Sequence, residues 1–168
     1  MTKKKNINFP AILIAGTAAG IISGIVKLGW ENLLPPRTSE RNKTNPPQKL
    51  LEQMGVPTEV THATYTYSGQ QLPIVSYIMH FGFSISFALL YAILGFYYPK
   101  IKNAQGITFG LLTWWAFHLE ILPKLKTIPS IENQPIEEHI SEALGHAVWM
   151  WTNDVFINEL YSLLTKEP

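Results

Sequence analysis

The sequence predicts an all-α membrane protein: a four-helix transmembrane bundle with short surface helices in its first connection. Three observations carry this. Only 15% of the 168 residues are charged, where a soluble domain carries about 25%. The charge is also unevenly spread, since no Asp, Glu, Lys or Arg occurs between Glu59 and Lys100. Finally, Phe9–Val26 is an uncharged, mostly apolar run, of the length that spans a bilayer as a helix. Aromatics are abundant at 12%, with five Trp and seven Tyr, which excludes a disordered chain. The formal net charge is +1, so no overall field invites nucleic acid. There is no Cys, which removes disulfides, thiol redox chemistry and Cys-ligated zinc.

The whole of 1–168 reads as one multi-pass domain with spans at about 9–30, 74–98, 104–122 and 139–160. The first span follows Lys3, Lys4 and Lys5. Its small residues lie inside the apolar run rather than after it, which favours an uncleaved first helix over a signal peptide. It carries Gly16, Gly20 and Gly24, a doubled G-x-x-x-G that lets another helix approach closely. That row is a candidate seam for a homo-oligomer or a partner helix.

Leu33 to Pro73 is polar and rich in proline, so it holds no long helix. Within it, Asn45 reads as an N-cap, Pro46 as the first helical residue and Gly55 as the stop. Leu50, Leu51 and Met54 would form the apolar face of this surface helix. The second span ends in Phe96, Tyr97 and Tyr98, an interfacial aromatic group, and Pro99 terminates it. The third span carries Trp114, Trp115, His118 and Glu120, and Pro123 stops it.

The fourth span is interrupted by charge, and periodicity explains how. At 100° per residue, Glu138, Glu142, His146, Trp149 and Asn153 fall within about 60° of one another. This is a narrow polar stripe on a wide apolar surface, and a bundle would turn the stripe inward. An even number of spans puts both termini on one side. The dense Lys3–Lys5 and Lys100/Lys102 clusters place that side in the cytoplasm.

Titratable residues inside spans are the candidate functional groups. Lys27 and Glu31 lie one turn apart on the glycine face of the first helix. His80, His118 and the Glu142–His146 pair occupy the other three. Two chemistries fit: proton handling by imidazole and carboxylate, and metal ligation by His nitrogen and Glu oxygen. A third reading is structural, with each polar group only fixing helix contacts or binding a partner subunit. G-x-S-x-G, P-loop and G-x-G-x-x-G motifs are all absent, so no enzyme and no cofactor are expected. The expected surroundings are a lipid bilayer, without nucleic acid.

Several stretches together resemble one family. They are Lys27-Leu28-Gly29-Trp30-Glu31 with Leu34-Pro35-Pro36-Arg37, Tyr65-Thr66-Tyr67-Ser68-Gly69, and His80 with Phe83-Ser84-Ile85. Further on come Pro99-Lys100-Ile101-Lys102 with Gln105-Gly106, His118, Ser141-Glu142, Gly145-His146, Val148-Trp149 and Trp151. In this order they are similar to the YagU family of uncharacterised bacterial inner-membrane proteins. The resemblance implies a multi-pass inner-membrane protein with a link to acid resistance and no established reaction or substrate. It also overlaps the candidate polar site of Lys27, Glu31, Arg37, His80, His118, Glu142 and His146.

Overall fold

The computed structural model describes residues 7–34, 41 and 43–166. The expected Lys3–Lys5 cluster and Arg37 lie outside the described residues. Four long helical segments dominate: α1 (Phe9–Leu33), α4 (Ile74–Tyr97), a third beginning as α5 (Ile107–Trp114), and α6 (Ile136–Thr165). Between α1 and α4 lie the short helices α2 (Pro46–Gln53) and α3 (Thr58–Thr61) and the strands β1 (Thr64–Tyr67) and β2 (Gln70–Pro73). Of these helices, α1 and α4 are long and apolar enough to cross a membrane.

Local chemistry accounts for the ends. The Asn8 side chain accepts from the Ala11 N–H and caps α1. Asn45 and Gln48 form a reciprocal capping box at α2, with Pro46 in the first turn, as the sequence predicts. The apolar face expected on α2 is covered only in part, with Leu50 and Leu51 half-buried. Gln48 is buried and donates to the Thr61 carbonyl, while Met54 is exposed. The surface helix is thus held by polar pins: Asn45 Nδ2 donates to Ser76 Oγ at 2.7 Å, and Gln53 Nε2 donates to the Leu125 carbonyl.

Two local features depart from the expected all-helical chain. The first is an antiparallel hairpin, with Tyr65 opposite Leu72 and Tyr67 opposite Gln70. Ser68 and Gly69 both adopt positive φ at its turn, the backbone that a two-residue hairpin loop needs. The second is the third segment. It starts at Ile107 rather than 104, because Ala104, Gln105 and Gly106 are all left-handed. It also runs past Pro123 to Lys124, through a π-helical turn at Trp115–Ile121. Pro123 has no N–H to offer the carbonyl four residues earlier, and the Leu122 N–H instead reaches back to Phe117.

Packing follows the small residues. A Cβ added to Gly20 would lie 2.6 Å from Ile85 Cα, and one added to Gly16 or Gly24 would press on Leu89 or Phe81. The glycine row is therefore packed against α4 of the same chain. On the other side α1 packs against α6, which also receives α5. The core centres on Ile12, Ala19, Tyr91, Ala92, Trp149, Met150 and Ile157, flanked by Phe83, Phe87 and Phe109. Met150, on the apolar side of the last helix, is fully buried. The outward faces of all four segments remain apolar, with Ile14, Ile25, Ile78, Leu112, Trp115, Leu144 and Leu163 exposed.

Candidate functional site

The polar stripe of α6 faces the bundle interior. Glu138, His146, Trp149 and Asn153 are buried, and Glu142 is largely covered. Asn8 N–H donates to Tyr161 Oη at 3.4 Å, which brings the start of α1 and the last turns of α6 to one end of the bundle. Lys27 and Glu142 lie towards the other end, each roughly 9 Å in from its helix terminus at 1.5 Å per residue. That is the end bearing the two longer connections.

There Lys27 Nζ donates to Glu31 Oε1 at 2.7 Å and to Glu142 Oε2 at 2.9 Å. The first bond is one turn along α1, and the second joins α1 to α6. The α6 backbone makes room for it. A Cβ on Gly145 would lie 2.9 Å from the Trp30 ring and 3.3 Å from Lys27 Cε. Trp30 Nε1 donates to the Ser141 carbonyl and to Ser141 Oγ, and Ser141 Oγ donates to the Leu34 carbonyl. The end of α1 is thereby fixed against the second turn of α6.

Two imidazoles complete the cluster. His118 Nε2 and His146 Nδ1 each lie 3.8 Å from Glu142 Oε2, and the two rings meet edge to face at 5.0 Å. His146 Nδ1 is 2.8 Å from the Glu142 carbonyl, an acceptor only, so the proton sits on Nδ1 and the lone pair on Nε2. His118 reaches the cluster from the π-helical turn, whereas Glu120 of the same turn points outward to Lys124. π-turns within α-helices recur at functional sites. Ligand atoms of His118, Glu142 and His146 all lie within 4.8 Å of one another, a grouping that fits a divalent transition metal in donor type.

Of the seven candidate residues, the structure thus brings together Lys27, Glu31, His118, Glu142 and His146. His80 is placed elsewhere: its Nε2 donates to the Gly24 carbonyl at 2.8 Å, a tie between α4 and α1. Arg37 lies outside the described residues. Two further polar groupings border the cluster. Arg41 and Glu138 form a buried ion pair at its outer edge. On the inner side, Ser84 Oγ donates to the Gly20 carbonyl at 2.7 Å, accepts from Trp149 Nε1 at 2.8 Å and lies 3.3 Å from Ser23 Oγ. Deeper still, Tyr91 Oη donates to Asp154 Oδ1 at 2.8 Å.

The protein family described as "Protein of unknown function (DUF1440)" matches residues 21–155. This chain belongs to that family. The match runs from Ile21 of α1 to Val155 of α6 and so takes in the entire cluster around Glu142. The chain is also similar to the inner membrane protein YagU of Escherichia coli (strain K12). The two are 31% identical over 175 aligned positions, covering 91% of this chain and 85% of that protein. The resemblance carried by the sequence stretches above is thereby borne out. No solved structure matches this DUF1440 member.

Proposed function

We propose that this protein is a multi-pass inner-membrane protein in which all four long helical segments span, with both termini in the cytoplasm. The Lys27–Glu31–Glu142–His118–His146 cluster would then lie near the opposite face and respond to protons arriving there, as part of resistance to acid. One observation carries the reading: a largely covered carboxylate, Glu142, touches an ammonium and stands 3.8 Å from two imidazoles. Ionisable groups inside a span are costly unless paired, and imidazole is the side chain suited to take a proton near neutral pH. The apolar outer faces and the similarity to an inner membrane protein support the setting. No catalysis and no cofactor are assigned to the chain.

A second reading is favoured by the 4.8 Å grouping of His118, Glu142 and His146, namely binding of a divalent metal such as zinc. The ammonium of Lys27 would have to leave Glu142 for this. Both readings meet in one experiment: proton uptake by proteoliposomes after external acidification, with and without zinc. The proton reading expects uptake above that of empty liposomes, reduced by Glu142→Gln. Suppression of that uptake by zinc would favour the metal reading alongside it. Uptake equal to empty liposomes contradicts the proton reading and leaves the polar groups with a structural role, fixing helix register.

A further inference from the structure

The outer end of the bundle carries a second feature that the buried cluster does not use. An open cleft of about 720 Å³ lies between the segment leading into α2 and the connection after the third helix. One wall carries Arg41, Lys43, Thr44 and Lys49, and the other carries Lys126, Thr127 and Ser130. Among the described residues, no carboxylate lines it. Arg41 is paired with Glu138. The ammonium groups of Lys43, Lys49 and Lys126 have no ion pair or hydrogen bond among the described residues. Lys27, Lys102 and Lys124, by contrast, are each held by an acceptor.

Three unpartnered cations converging on one concavity repel one another, and a bound anion removes that cost. The walls are themselves fixed. Asn45 is tied to Ser76, and Thr127 Oγ1 donates to Gln53 Oε1 at 2.7 Å, joining the two sides of the cleft. Lys126 lies two residues beyond the last turn of the third helical segment, Leu122–Lys124. If that segment spans, the cleft sits at headgroup depth, where basic pockets bind anionic lipid.

We propose that this cleft binds a phosphate-bearing anion, either a phospholipid headgroup or free phosphate, through Lys43, Lys49 and Lys126 with hydroxyl donors from Thr44 and Ser130. The lipid source rests on the membrane reading above, while the free-phosphate source does not. The test is native mass spectrometry of the detergent-purified chain titrated with phosphatidylglycerol or phosphatidylcholine. It compares wild type, the triple variant Lys43→Gln/Lys49→Gln/Lys126→Gln, and the control Lys100→Gln/Lys166→Gln. All three lysines of the cleft are exposed, so the triple variant is expected to fold, which circular dichroism checks. Wild type and control should retain phosphatidylglycerol in preference to phosphatidylcholine. The triple variant should lose at least about tenfold in that preference, since each lysine near a lipid surface contributes roughly a fivefold effect.

A competition with excess inorganic phosphate separates the sources. Lipid retained against phosphate assigns the headgroup, and lipid displaced by phosphate assigns the soluble anion. Equal retention of the two lipids by wild type would overturn the proposal, as would an unchanged preference in the triple variant. An equal loss in the control would overturn it too, because the effect would then belong to net charge.

Discussion

Lys27 Nζ sits 2.9 Å from Glu142 Oε2, so the first and last long helices meet through a largely buried ion pair. The same ammonium holds Glu31 at 2.7 Å. The same carboxylate oxygen lies 3.8 Å from His118 and from His146. The pair is thus both a helix tie and the centre of the titratable cluster, which makes its coupling measurable.

Lys27→Met leaves the largely buried Glu142 carboxylate without its ammonium, whereas Glu142→Gln leaves Lys27 still bonded to Glu31. Lys27→Met should lower stability by about 3 kcal/mol, and Glu142→Gln by less. The double variant should fall short of the summed losses by at least about 1 kcal/mol, because contacting residues couple. Thermal unfolding in detergent gives all three values. Strictly additive losses would mean that the contact contributes nothing beyond the separate groups.

The glycine row gives a graded prediction. At Gly20 an added Cβ meets the α4 backbone at Ile85 Cα, which cannot move aside alone. At Gly16 it meets the Leu89 side chain, whose end can rotate. Gly20→Ala should therefore destabilise more than Gly16→Ala, and Gly20→Leu should abolish the folded yield. Ile21→Leu, at a side chain 43% exposed, should change little. Size-exclusion profiles of the four variants provide the ranking, and equal yields for Gly20→Leu and Ile21→Leu would refute the close α1–α4 contact.

Ser84 is the hub of the inner polar network. Ser84→Ala removes the acceptor of Trp149 Nε1 and the donor to the Gly20 carbonyl together. Trp149 is 2% exposed, so its N–H would be left without a partner at a cost of about 1–3 kcal/mol. Ser23→Ala should cost less, since Ser23 Oγ has longer contacts, at 3.3 Å, with Ser84 Oγ and the Gly20 carbonyl. Thermal midpoints, with Trp emission as the local probe, order the two. A smaller effect at Ser84 than at Ser23 would remove Ser84 from the centre.

The parts legible in the sequence are those set by period. Apolar runs located α1 and α4, the two helices long and apolar enough to cross a membrane, and the 100° repeat found the α6 stripe of Glu138, Glu142, His146, Trp149 and Asn153, of which Glu138, His146, Trp149 and Asn153 are buried. The Asn45 cap was readable because a cap is local. The hairpin was also local and was missed. Thr64–Tyr67 alternates, and Ser68–Gly69 marks its turn, but both lie in a proline-rich stretch read as helix or coil. The π-turn was not readable, because α-helical angles do not carry across an inserted register. Whether His118 joined Glu142 therefore depended on geometry that Pro123 only hints at. Trp30, Ser141 and Gly145 stood within the family stretches, yet their mutual contact spans distant positions and has no periodic signature. His80 shows the converse. It was a plausible member of the site by type, and its Nε2 is engaged by the Gly24 carbonyl instead.

The central claim is that the Glu142 cluster takes up a proton on acidification. The most direct measurement is solid-state NMR of the chain with 13C,15N-labelled histidine in lipid bilayers, which separates neutral from protonated imidazole along an acid titration. The expected result is an imidazolium signal on one of His118 and His146 before the other, because the rings are in contact and like charges repel, with Glu142 beside both to stabilise the first added charge. At the same acidic pH that signal should weaken in Glu142→Gln, which lacks the carboxylate that stabilises the added charge. If both histidines stay neutral throughout the acid titration, or if Glu142→Gln leaves their signals unchanged, the cluster is a structural lock and not a proton-responsive site.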